Sequence, residues 1–176
     1  FAYIDLDYVS EYCYVDNKCN VYSRYYSDVS YADFKQSGFE GKLGGDYSKT
    51  VWFWADDNLF GTGEPSLFIG RYVRSMEYAH EPGMLFLKME EKYLDKVVSN
   101  GVSEEAFASG IMDANGNLCS LNAPEEMWIP MEDISLEATD REGDGMILDG
   151  MEVSGGVVSA YRQKESGFIV FSFVPD

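Results

Sequence analysis

Between Val51 and Val98 the chain reads VWFWADDN, then EPSLFIGRYVRS, then PGMLFLKMEEKYLDKVV. The first two runs have strand length and strand composition, and the third passes from a strand into an amphipathic helix. Such a block commits the chain to antiparallel strands with a helix laid against them, an α+β layer arrangement. Trp52, Trp54, Arg71 and Arg74 come near one another on that sheet. Indoles and guanidiniums supply stacking faces and fixed hydrogen-bond donors, but no nucleophile and no general base. The block therefore points to binding rather than to chemistry.

The flanks extend the same architecture. Residues 1–26 hold two Tyr- and Val-rich strands split by a turn at Asp16-Asn17-Lys18. A short helix is expected over Tyr31–Gln36, with Ser30 as N-cap and Gly38 as its stop. The loop GKLGGDYSK is flexible enough to lie over a pocket. Strands follow at Val51–Asp56, Ser66–Arg74 and Met84–Met89, then a helix over Glu90–Asn100. Beyond it come the strand AFASGIMD, a hairpin signal at Asp113–Gly116 and the return strand Asn117–Leu121. A helix near Met131–Ala138 precedes strands at Gly145–Leu148, Gly155–Lys164 and Gly167–Val174. No internal repeat of fixed period is visible. The helix at 90–100 separates two hairpin-rich runs, so the expected organisation is two small α+β sheets in tandem, 1–102 and 103–176.

Charge narrows the partners. Lys and Arg number 13 against 31 Asp and Glu, a net charge of −18. That field repels phosphate backbones and anionic membrane surfaces, which excludes nucleic acid as a direct partner. No apolar run approaches the roughly 20 residues that span a bilayer, and no signal peptide is recognisable. The chain begins at Phe1 and ends at GFIVFSFVPD without polar tails, as expected of a piece excised from a longer protein. Cys13, Cys19 and Cys119 leave an odd count. Either Cys13 and Cys19 bridge across their turn, or all three are thiols.

The alternation of the first strand puts Trp52, Trp54 and Asp56 on one face, with Val51, Phe53 and Ala55 facing the core. Arg71 falls among aliphatic residues, where a half-buried guanidinium needs a ligand carboxylate, sugar hydroxyls, or Asp56 or Asp57. Tyrosines at 22, 25, 26, 31 and 47 precede this block and give small polar molecules flat faces with polar tips. Arg74 reads as a solvated strand end. Two acidic stretches approach calcium-loop spacing. The one from Asp113 meets Leu118 where such a loop needs Gly, and the one from Asp140 reaches Met151 where a bidentate acid belongs. The single His80 and three scattered cysteines do not make a zinc site. Neither a metal nor a cofactor is expected. No nucleophile elbow or Walker-type loop occurs, so the chain reads as non-enzymatic.

Several of these segments, in this order, resemble the extracellular double Cache domains of bacterial membrane receptors. They are WFW in a strand, LFIGRYVRS, the loop with Pro82-Gly83, the strand-to-helix run MLFLKMEEKYLDKVV, the hairpin GIMDANGNLCS and the closing YRQKESGFIVFSFVP. The likeness is best to sensor histidine kinases that work with AraC-type regulators in two-component systems. It implies two PAS-like modules on the extracellular side of the cell membrane, with the N-terminal stalk helix missing and homodimerisation in the full-length receptor. It places a small-molecule ligand in the distal module, under a loop and against the sheet. The lining residues so implied are Trp52, Trp54, Asp56, Arg71 and Tyr72, with Tyr25 and Tyr47 from the preceding strand and loop. Thr50 stands where amino-acid sensors of this kind carry an arginine, which favours a sugar or another metabolite as ligand. The competing readings are a chemoreceptor or diguanylate cyclase sensor domain, a secreted carbohydrate-processing enzyme domain, and a structural interaction module.

Overall fold

The computed structural model describes residues 6–23, 29–74, 82–99, 107–140, 147–164 and 166–176. Backbone contacts divide the chain into two units, Phe1–Glu91 and Lys92–Asp176. Each contains one five-stranded antiparallel sheet.

In the first unit a 3-10 turn at Leu6–Tyr8 leads into β1 (Val9–Val15) and β2 (Val21–Ser23). Helices α1 (Tyr31–Ser37) and α2 (Phe39–Lys42) follow, then β3 (Thr50–Asp56), β4 (Pro65–Val73) and β5 (Gly83–Met89). The sheet order is β2-β1-β5-β4-β3. The second unit opens with α3 (Glu91–Ser99) and continues with β6 (Ala108–Met112), β7 (Leu118–Asn122) and α4 (Met131–Asp140). Its last strands are β8 (Ile147–Val153), β9 (Gly156–Arg162) and β10 (Ile169–Pro175), in the sheet order β7-β6-β10-β9-β8. Counted within each unit the two orders are identical. The repeat that the residue string hides is a repeat of topology.

It also reaches into turn chemistry. In Asp16-Asn17-Lys18-Cys19-Asn20 the Asp16 carboxylate accepts from the backbone N–H of Lys18 and Asn20 and from the Asn20 amide, each at 2.8 Å. In Asp113-Ala114-Asn115-Gly116-Asn117 the Asp113 carboxylate does the same for Asn115 N–H and Asn117 N–H (2.8 Å each) and the Asn117 amide (2.9 Å). The fourth residue of each turn is left-handed, Cys19 at φ 64° and Gly116 at φ 83°. These five-residue loops join β1 to β2 and β6 to β7. They also account for the calcium-like spacing at Asp113, whose oxygens are taken by the turn itself.

The helix expected after Ser30 forms with a complete capping box. Asp33 N–H donates to the Ser30 hydroxyl and the Asp33 carboxylate accepts from Ser30 N–H. Gly38 ends it at φ 75° and lets α2 start at once. Phe34 and Phe39 thus point down from two short helices onto one sheet face. Together with Phe53, Phe68 and Phe86 they form the aromatic centre of the first core.

Helix α3 goes with the second unit, although the sequence grouped it with the first sheet. Its Leu94 and Val98, one turn apart, are buried. The Ser109 hydroxyl on β6 donates to the Val98 carbonyl at 3.3 Å, and the Ser120 hydroxyl on β7 meets the Asp95 carboxylate at 3.1 Å. The opposite face of that sheet packs Met112, Val158, Ile169, Phe171 and Phe173 against Ile134 of α4. No helix among the described residues is long and apolar enough to cross a membrane.

All three cysteines are free thiols. Cys13 is paired in register with Ser23, whereas Cys19 stands in the turn, so the two are not cross-strand neighbours. Burial pushes the Cys13 thiol up to about 12. Burial first, then the Asp113 charge, does the same for Cys119. Since the thiolate is the nucleophile, iodoacetamide at pH 8 is expected to label exposed Cys19 in the native protein. Cys13 and Cys119 should react only on unfolding, which peptide mass spectrometry would read directly.

Candidate functional site

Strand register decides which side chains of the first unit can meet. Val21, Val15, Met84 and Tyr72 form one row across β2, β1, β5 and β4. The next row is Ser23, Cys13, Phe86, Gly70 and Val51, and the third is Glu11, Lys88, Phe68 and Phe53. This is the inner face, roofed by α1 and α2. The other face carries Tyr22, Tyr14, Leu85, Arg71 and Thr50 in one row, and Tyr12, Leu87, Ile69 and Trp52 in the next. Trp54 lies beyond, opposite Leu67, and Asp56 opposite Pro65.

The single cleft expected from the sequence is therefore divided. Trp52, Trp54, Asp56 and Arg71 share the outer face. Tyr72 follows Arg71 directly on β4 and so points the other way. Tyr47, from the loop after α2, joins Tyr72 on the inner side with ring centroids 4.4 Å apart. Tyr25 lies outside the described residues. The error was to group Arg71 with Tyr72, since adjacent strand residues cannot line one wall.

The end of the inner face has the makings of a polar mouth. Gly70 has no side chain there because a Cβ would stand 2.8 Å from Leu43 and 3.0 Å from Phe86. Leu43, just past α2, is thereby seated on the sheet, and Tyr72 is the next inner-facing residue along β4. Burial, then the nearby Tyr47 and Glu40 groups, raise the Tyr72 pKa. Glu40 on α2 pairs with Lys35 on α1, and the Lys35 ammonium lies 5.6 Å from the Tyr31 ring centre. The Cys19 thiol is the main cause of the raised Tyr31 pKa. Helix, loop, strand and hairpin thus bring Tyr31, Lys35, Glu40, Tyr47 and Tyr72 to one end of the unit. The loop bearing Tyr47 turns on Gly44 and Gly45, both left-handed, and the Asp46 carboxylate closes it by accepting from Ser48.

At the other end of the inner face lies a buried ion pair. Asp57 is fully buried, and its carboxylate accepts from Lys88 Nζ at 2.6 Å, Thr62 Oγ1 at 2.7 Å and Phe60 N–H at 2.7 Å. Burial works to raise its pKa. The hydrogen bonds from Lys88, Thr62 and Phe60 and the Lys88 charge outweigh burial and hold it below the usual carboxylate range. These bonds pin the β3–β4 loop and press Leu59 and Phe60 into the core. Asp57 was one candidate partner for Arg71; Lys88 has it instead. The signal was available: Lys88 is the one charge inside the apolar strand MLFLKM and demands a buried counter-ion.

On the outer face Arg71 is half-buried and donates Nε–H to the Tyr72 carbonyl at 3.4 Å, with no ion pair among the described residues. Among the described residues no cluster of His, Cys, Asp and Glu has the arrangement to hold a metal.

No protein-family model and no curated protein sequence matches the chain. Solved structures do. The extracellular ligand-binding receptor from Desulfohalobium retbaense superposes with TM-score 0.65 at 11% identity, over 95% of this chain and 30% of that one. The sensor domain of the Vibrio cholerae histidine kinase DctB matches with TM-score 0.54 at 12% identity, over 96% and 72% of the two chains. The ligand-binding domain of the Pseudomonas aeruginosa amino-acid chemoreceptor PctB, solved with L-Arg, matches with TM-score 0.59 at 11% identity over 96% and 72%. The chain thus shares the fold of these solved sensor domains, two tandem modules each built on a five-stranded antiparallel sheet.

Proposed function

We propose that the chain is the ligand-sensing part of a bacterial receptor and that its first unit binds a small polar molecule. The carrying observation is the duplicated sheet order, which superposes along nearly the whole chain on sensor domains of histidine kinases and chemoreceptors. The ligand seat proposed is the polar end of the inner face, between Tyr72 and Tyr47 on one side and the Lys35–Glu40 pair on the other. Ligand sites are concave. Helices α1 and α2 and the glycine-containing loop bound this end. The aromatic rings suit a sugar or the apolar side of a metabolite, and the paired charges can separate to grip an amino acid of the kind PctB holds. The domain itself performs no chemistry. In the parent it stands on the extracellular side and passes a change in the first unit, by way of the second, to a membrane-anchored output such as a histidine kinase.

A thermal-shift panel of sugars, amino acids and organic acids tests this reading. One compound is expected to stabilise the protein, by about 2.7 kcal/mol when supplied at 100 times its Kd. A panel of all three classes without any stabiliser, or turnover of a chromogenic glycoside, would count against it.

A further inference from the structure

The two five-residue turns share a scaffold but differ at its centre. In the first unit the third and fourth residues are Lys18 and Cys19; in the second they are Asn115 and Gly116. An Asn-Gly step carries its own chemistry. The side-chain amide carbon of an asparagine can close a five-membered ring with the next backbone nitrogen, and a glycine puts no side chain in the way. Asn115 is exposed, so water reaches its amide. The other Asn-Gly step, Asn100-Gly101, lies outside the described residues. In the closed turn the attacking nitrogen is otherwise engaged. Gly116 N–H donates to the Asp113 carbonyl at 3.1 Å, and Asn115 N–H to the Asp113 carboxylate at 2.8 Å. The Asn115 side-chain amide is held more loosely, 3.5 Å from the second carboxylate oxygen of Asp113.

We infer that Asn115 is a site of spontaneous modification, with Asp113 as its gate. When the turn opens, Gly116 N gives its proton to hydroxide and attacks Asn115 Cγ. The new N–Cγ bond replaces the bond from Cγ to Nδ2, and Nδ2 takes a proton from water and leaves as ammonia. Water then adds across either carbonyl–nitrogen bond of the succinimide ring, which leaves an aspartyl or an isoaspartyl residue at position 115. Nothing is oxidised or reduced. The product cannot close the turn as before. Its carboxylate replaces an amide that lay 3.5 Å from Asp113 Oδ2, and Asp113 is 6% exposed, so two like charges meet where little water screens them. In the isoaspartyl form the main chain also runs through an extra carbon. That breaks the spacing by which Asp113 N–H reaches the Asn117 carbonyl at 2.9 Å. The modification is therefore a one-way loosening of the β6–β7 hairpin, whose Ser120 meets Asp95 of α3.

Incubation of the intact protein at pH 8, then Glu-C digestion and tandem mass spectrometry, tests the proposal. The fragment 106–125 contains Asn115, Asn117 and Asn122, so the last two serve as internal controls. Asn115 alone is expected to gain one mass unit, and the modified fragment to elute as two species, aspartyl and isoaspartyl. Gly116→Asn, whose side chain tolerates the left-handed backbone, is expected to stop the reaction while keeping the turn. Asp113→Ala removes the acceptor that closes the turn and is expected to speed conversion about tenfold. Wild type in rising, sub-denaturing urea gives the same reading without a substitution, since opening of the turn should speed conversion there too. An Asn115 that stays unmodified would overturn the proposal, as would equal conversion at Asn117 or Asn122. An undiminished rate in Gly116→Asn, or a rate that neither Asp113→Ala nor urea raises, would do the same.

Discussion

Asp57→Ala is expected to cost about 3–5 kcal/mol of stability, the largest effect of any surface-remote charge change in the first unit. The substitution leaves the Lys88 ammonium, 13% exposed, without its carboxylate. It also strips the Phe60 N–H and Thr62 hydroxyl of their acceptor and so loosens the loop that seats Leu59 and Phe60. Lys88→Ala should cost a comparable amount, because it strands a fully buried carboxylate. Lys88→Met with Asp57→Leu should recover much of the loss, since both charges then leave together. Chemical denaturation of the four proteins reads these values. The same pair predicts a pH dependence. Asp57 has a folded pKa below its unfolded one, so its contribution is fully present above the unfolded value and is lost as pH falls through the folded value. Acidification through and below the ordinary carboxylate range should therefore lower the melting temperature more steeply in the wild type than in Asp57→Asn.

Phe39→Ala is the second large loss, at about 3–5 kcal/mol. The ring is 1% exposed and contacts Phe68 at 4.7 Å, Phe53 at 5.4 Å and Phe86 at 5.7 Å between centroids. It is also the anchor of a four-residue helix that could not hold itself together alone. Removing it frees α2, and with α2 go Glu40 and the root of the Tyr47 loop. Reduced stability and loss of ligand response should therefore appear together in this variant. Phe39→Leu, which keeps an apolar anchor, is expected to retain most of both.

The strands were legible because their apolar runs are long and their turns carry explicit chemistry. Ser30 with Gly38, and Asp113 with Gly116, bracket elements that the structure places within a residue or two of the expected bounds. Membership of α3 was not legible, since Leu94 and Val98 show only that the helix has a buried stripe and not which sheet buries it. The duplication was hidden for a related reason. Cys19 and Gly116 fill the same left-handed position with different residues, and only the shared Asp and Asn reveal one turn. For the site, the register puts Arg71 and Tyr72 on opposite sheet faces, so the one cleft expected from the sequence is divided. Strand parity fixes that Arg71 and Tyr72 diverge. The pull of a compact cluster of Trp, Arg and Tyr set that parity aside.

Once a stabilising compound is in hand, isothermal titration against Tyr72→Ala and Arg71→Ala tests the placement of the ligand most directly. The inner-face seat predicts that Tyr72→Ala weakens binding at least about tenfold, the loss of a stacking face and a hydroxyl. Arg71→Ala should then bind as the wild type does. Binding abolished by Arg71→Ala and preserved in Tyr72→Ala would contradict it and move the ligand to the outer face with Trp52 and Trp54.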